Sequence, residues 1–148
     1  MKKLKFTYPE DLHFKCKRCA ICCGDTENRV RTILMLKTEA EKIAGKTRMR
    51  LESFAEKVQS FEPYAYKMRK TADGKCVFLN KNLCTIYPYR PLICRFYPFE
   101  LNETSSGTYA FAYTKECPGI GKGSALKREF FEKLFKRFRK SIAENVLG

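Results

Sequence analysis

Apolar positions along the chain follow first an alternating and then a helical rhythm. Arg29–Leu36 alternates, with Val30, Thr32, Leu34 and Leu36 on one side, and reads as a strand. It runs into Thr38-Glu39-Ala40-Glu41, a capping box in which hydroxyl and carboxylate satisfy the backbone donors of a helix start. That short helix is predicted to stop at Gly45. Leu51, Phe54, Val58 and Phe61 recur at intervals of three and four, predicting a second helix from Met49 to Phe61, ended by Pro63. Tyr64–Lys70 and Cys76–Leu79 flank the hairpin-turn pair Asp73-Gly74. A further turn at Asn80-Lys81-Asn82 leads into Cys84-Thr85-Ile86-Tyr87. Phe96–Leu101 and Thr108–Thr114 suit a hairpin around Ser105-Ser106-Gly107. Ser124 would then cap the longest helix, to Val146, with Leu126, Phe130, Phe131, Leu134, Phe135, Phe138 and Ile142 on its apolar face. The pattern is α+β: one small irregular domain over 1–148, short helices and hairpins with cysteines on the connections, and a long amphipathic C-terminal helix.

Length agrees with one domain, since 148 residues can enclose a real core. Apolar runs such as Ile33–Leu36 are far below the roughly 20 residues of a membrane span. Pro9, Glu10, Asp11 and His13 stand where a secretion signal needs apolar residues, so a cytoplasmic location is the expectation. In a reducing compartment, eight cysteines read as metal ligands or catalytic groups rather than disulfides.

The sharpest feature is Cys16-x2-Cys19-x2-Cys22-Cys23. A two-residue spacer folds into a tight turn that aims both sulfurs at one metal ion, and iron–sulfur proteins use the same spacing. Cys76, Cys84, Cys94 and Cys117 follow, separated by seven, nine and twenty-two residues, and Cys117 precedes Pro118-Gly119. Neighbouring side chains diverge, so Cys22 and Cys23 fit poorly on one ion. Two four-cysteine sites divided between them would use every sulfur, while one cluster with spare thiols is the rival arrangement. With His13 the only histidine, zinc and [4Fe–4S] centres both suit the donor set. Phe14, Phe78, Phe96, Phe99, Tyr87 and Tyr97 tilt the balance to iron–sulfur, because an apolar sheath limits solvent access and tunes a redox cluster.

Cys16-Lys-Arg-Cys19-Ala-Ile-Cys22-Cys23-Gly24, Gly74-Lys-Cys76-Val-Phe78-Leu79, Cys84-Thr-Ile86-Tyr87-Pro-Tyr-Arg90-Pro91-Leu-Ile-Cys94-Arg95-Phe-Tyr97-Pro98-Phe99 and Cys117-Pro118-Gly119 occur in that order. Together they resemble the CxxCxxCC cysteine-cluster family of zinc- or iron-chelating proteins, over residues 16–123. The resemblance implies a metal centre, one or two [4Fe–4S] clusters or else zinc. Flagellin lysine N-methylases share related cysteine motifs, which implies S-adenosylmethionine-dependent methylation of protein lysines as an enzymatic alternative. Tyr87, Arg90 and Arg95 fit around the ligating cysteines, and Arg90 and Arg95, which flank Cys94, can donate N–H bonds to sulfur or offset its negative charge.

The charge asks for something more. Two all-thiolate sites, at about −2 each, leave most of the +14 surplus unexplained. Lys127, Arg128, Lys133, Lys136, Arg137, Arg139 and Lys140 crowd the last helix, with Lys46, Arg48 and Arg50 elsewhere. Such a surface suits nucleic acid or an acidic protein, so a zinc-binding nucleic-acid module is the alternative to an electron-transfer or redox-linked protein with a redox or protein partner. No phosphate loop, H-E-x-x-H motif or histidine-paired nucleophile stands in the sequence. Gly119-Ile-Gly121-Lys-Gly123 reads as a flexible turn.

Overall fold

The computed structural model describes residues 5–16, 23–26, 29–81 and 83–147. In chain order come β1 (Lys5–Thr7), β2 (His13–Phe14), β3 (Leu34–Met35), α1 (Lys37–Thr47), α2 (Leu51–Phe54), β4 (Ala55–Lys57), β5 (Tyr66–Met68), β6 (Leu79–Asn80) and β7 (Leu83–Cys84). A 3-10 turn at Tyr87–Tyr89 precedes α3 (Leu92–Phe96), β8 (Phe99–Ser105), β9 (Thr108–Tyr113), β10 (Ile120–Ala125) and α4 (Arg128–Leu147). The fold is α+β, with short sheets and a long C-terminal helix, as the sequence pattern predicts.

Two clusters of buried side chains organise these pieces. The first gathers Ile33, Met35, Ala40, Ile43, Phe54, Met68, Cys76, Phe78 and Ile86, with the sheet β3-β5-β4 at its side. The second is aromatic. Phe96, Phe99, Phe111, Phe131 and Phe135 join α3, the sheet β1-β9-β8 and α4. Phe131 is fully buried, with ring centroids of Tyr8, Phe111 and Phe99 at 4.9, 5.1 and 5.3 Å. The apolar face predicted for the last helix is the face that packs here, apart from Ile142, which lies outside this cluster.

Several elements differ from the sequence pattern, each for a local reason. Of the predicted strand, Leu34–Met35 pairs with β5 and Arg29 makes an isolated bridge to Thr26, and Ile33 and Met35 face the core while Val30 is exposed. The inward parity is therefore odd as far as Met35, the reverse of the predicted face, although Leu36 at its end is fully buried. The helix start lies earlier than the Thr38 box: Leu36 is the N-cap residue, and its N–H donates to the Glu39 carboxylate at 2.9 Å. Gly45 lies inside α1, which stops at Arg48 in the left-handed region (φ 59°). The predicted second helix is a single turn, because Ala55–Lys57 pairs with Tyr66–Met68 instead. Distant pairing overrides local periodicity there. Asp73-Gly74 does turn, with Gly74 at φ 75°, but the flanking segments share only the bridge Lys70–Cys76. Phe96 closes α3 rather than opening a strand, and the β8–β9 hairpin turns at Gly107 (φ 80°). Ser124 lies in β10, four residues before α4, and the glycine-rich segment is itself a strand paired with β2.

Glu39 ties the two cores together. One carboxylate oxygen accepts Leu36 N–H, the other accepts Leu92 N–H at 2.6 Å, so the start of α1 is bonded to the start of α3. Burial, outweighing these two bonds, raises its pKa above the usual 4.5. The folded state thus holds this proton more tightly than the unfolded one. Stability is expected to fall as pH rises from 4.5 through the raised folded value, then level off. Glu39→Gln should remove that slope. It should also cost about 1–3 kcal/mol in denaturant titrations, because an amide group cannot accept both N–H bonds. An unchanged stability and slope would contradict this role.

Candidate metal centre

Two glycines let cysteine-bearing segments approach one another. Gly24 follows Cys23 and bridges to Lys75; a Cβ on it would meet the Gly74 carbonyl at 2.8 Å. With no side chain there, Asp25 N–H donates to Gly74 O at 2.9 Å and Cys76 N–H donates to Cys23 O at 2.5 Å. Gly119 closes the Cys117-Pro118-Gly119 element, and a Cβ on it would collide with the Lys15 carbonyl. Lys15 N–H donates to Gly119 O at 3.1 Å, which lays Cys16 alongside the segment that carries Cys117.

The described cysteines therefore fall in two neighbourhoods. Cys76 is buried in the first core, and Cys23, Cys84 and Cys94 pack against that core. Cys84 arrives on β7, paired with Leu79, and Cys94 on α3, held by its N–H to Pro91 O at 3.0 Å. Cys16 is exposed and Cys117 is buried, on the two strands' worth of backbone joined at Lys15–Gly119. Cys19 and Cys22 lie outside the described residues. Among the described residues no three His, Cys, Asp or Glu side chains close into a metal cage. What fits a metal is the donor chemistry: soft thiols, in part buried, gathered from distant parts of the chain.

Polar bonds follow Cys23 along the chain. Asp25 Oδ1 accepts Arg31 N–H and the Lys70 ammonium, each at 2.7 Å. The Lys70 bond, and then the Arg31 bond, hold its carboxyl below the usual carboxylate range. Glu116, next to Cys117, accepts the Thr26 hydroxyl and pairs with Arg29 at 3.0 Å. Of these two carboxylates, Glu116 links the Cys117 segment to the chain that follows Cys23. Sequence reasoning missed them, and only their positions beside Cys23-Gly24 and Cys117 could have marked them.

Tyr87, Arg90 and Arg95 stand at the Tyr87–Tyr89 turn. Arg90 donates to Tyr87 O at 2.8 Å and lies 3.9 Å from the centre of its ring, and Arg95 donates to Pro88 O at 2.6 Å. Burial first, then the cations Arg137 and Arg90, depress the Arg95 pKa. Of the aromatic residues predicted to sheathe a cluster, Phe78 lies in the first core, while Phe14, Phe96 and Phe99 belong to the second. Tyr87 is exposed. Tyr97 lies under Arg29 and Arg31 at 5.5 and 5.1 Å, beside a cavity of about 430 Å³. Its pKa is pushed up to about 12, by burial above all, with a further contribution from Cys117. No described helix is long and apolar enough to cross a membrane.

Comparison with known proteins places these segments in a wider group. A family model described as "Putative zinc- or iron-chelating domain" matches residues 15–118. Uncharacterized protein MJ0661 of Methanocaldococcus jannaschii is 30% identical over 139 residues, covering 88% of this chain and 72% of that protein. Uncharacterized protein MJ0939 of the same organism is 26% identical over 144 residues, covering 89% of this chain and 48% of its own length. No solved structure matches the chain.

Proposed function

The chain belongs to the CxxCxxCC family of zinc- or iron-chelating domains, and from that premise we propose that it is an iron–sulfur protein with two four-cysteine sites. Chelation of zinc or iron is what membership itself supports; the cluster type and the division of ligands are our reading. One site takes Cys23, Cys76, Cys84 and Cys94. The other takes Cys16, Cys19, Cys22 and Cys117.

The single observation that carries the division is the bond from Cys76 N–H to Cys23 O, on a core against which Cys84 and Cys94 also pack. The Lys15–Gly119 bond supports the second set in the same way, and Cys19 and Cys22 join it through their two-residue spacers. Cys22 and Cys23, adjacent in sequence, then serve different centres.

When bound, a [4Fe–4S] cluster supplies a one-electron couple. The chain's own contribution is the setting. Phe78 and Ile86 keep water from Cys76, Asp25 ties the segment after Cys23 to Lys70, and Glu116 joins that segment to the Cys117 side. This arrangement suits electron transfer or a redox-linked modification, with an oxidant or reductant protein as partner. Protein purified without oxygen is expected to be brown, with a broad band near ~400 nm that bleaches on reduction by dithionite and returns on oxidation. A colourless protein carrying zinc would overturn the cluster assignment and leave chelation standing.

A further inference from the structure

Between α1, the Tyr87–Tyr89 turn, α3 and α4 lies a cavity of about 160 Å³ with an unusual charge balance. Lys42, Arg90, Arg95, Arg137 and Lys140 reach it from four parts of the chain, against the two carboxylates Glu39 and Glu144. The two carboxylates offset only part of the charge of the five cations. Glu39 is committed to two backbone N–H groups, and Glu144 pairs with Lys140 at 3.9 Å. Arg90 and Arg95 each bond a backbone carbonyl through one nitrogen and keep further N–H donors. Lys42 and Arg137 have no hydrogen-bond or ion-pair partner among the described residues. Like charges brought together by separate elements repel, and the arrangement becomes favourable when an anion sits between them.

We propose that this cavity binds the phosphate group of a small phosphorylated molecule, clasped by Arg90, Arg95, Arg137, Lys42 and Lys140. A phosphate has the charge and the tetrahedral oxygens to use several donors at once, and guanidinium forks match those oxygens in pairs. A lone carboxylate would leave most of the cations unmatched. The cations surround one concave volume instead of tracking along a stripe, which favours a compact anion over a nucleic-acid backbone. The Ser141 and Tyr89 hydroxyls add neutral donors at the rim. The inference is independent of the metal reading.

The test is calorimetric titration of the metal-loaded protein with inorganic pyrophosphate and, separately, with adenosine diphosphate. Saturable binding of either at one per chain is expected; tighter binding of the nucleotide would mean that the site also holds the nucleoside. Arg137→Gln should weaken binding about tenfold, the loss of one charge-assisted contact. Lys136→Gln, the same charge change on the same helix but outside the cavity, should alter it less than twofold. Metal content should be unchanged in both. Failure of both anions to saturate would overturn the proposal, as would equal losses in the two variants. So would tight binding of single-stranded RNA that pyrophosphate does not displace.

Discussion

Cys76→Ser is expected to lose about half of the bound metal and to destabilise the protein by several kcal/mol. Structural metal sites contribute folding energy directly. Cys76 is also buried, so the substitution places a hydroxyl in an apolar core. Cys84→Ser, at a less buried position, tests the same site with less damage to packing and should lose the same half. Cys16→Ser should lose the other half, with a smaller change in stability, because Cys16 is exposed and outside both cores. Metal analysis and chemical denaturation on all three variants check this. Loss of all metal in each would indicate one shared centre. Full retention in Cys76→Ser and Cys84→Ser would remove those residues from the ligand set.

Phe131→Ala is expected to cost roughly 3–5 kcal/mol, the usual range for an aromatic ring deleted from a core. Phe131 is fully buried among Tyr8, Phe99, Phe111 and Phe130, and its removal opens a cavity where α4 docks. Phe61→Ala is the matching control, since that ring is 51% exposed and should cost well under 1 kcal/mol. Cys23, Cys76, Cys84 and Cys94 group with the first core and Phe131 with the second, so the Phe131 variant, where folded, should keep its metal. Denaturation followed by circular dichroism measures the first effect and metal analysis the second. A cost near that of Phe61→Ala would mean that α4 adds little to the fold.

Legibility in the sequence followed the range of the interactions. The last helix was readable because Phe130, Phe131, Leu134, Phe135 and Phe138 repeat on one face over about two and a half turns, and the β8–β9 hairpin because its turn is local. Residues 55–57 were misread as helix because their partner strand lies about ten residues on, where periodicity carries no trace of it. β1 and β10 escaped for the same reason: each pairs with a strand about 100 residues away. Among the candidate site residues, Cys16, Cys19, Cys22 and Cys23 were legible from their spacing, whereas Cys76, Cys84, Cys94 and Cys117 form no such knuckle. The grouping proposed for them rests on Gly24 and Gly119 admitting a neighbouring backbone, which spacing does not show. Arg90 and Arg95 were legible as a pair beside Cys94, but their shared cavity with Arg137 and Lys140 exists only once α4 has folded back on α3.

Iron, acid-labile sulfide and zinc per chain, measured on wild-type protein purified without oxygen, test the central claim most directly. Two [4Fe–4S] centres predict about eight iron and eight sulfide per chain with negligible zinc. Stoichiometric zinc without sulfide, or about four iron per chain in fully loaded protein, would contradict it.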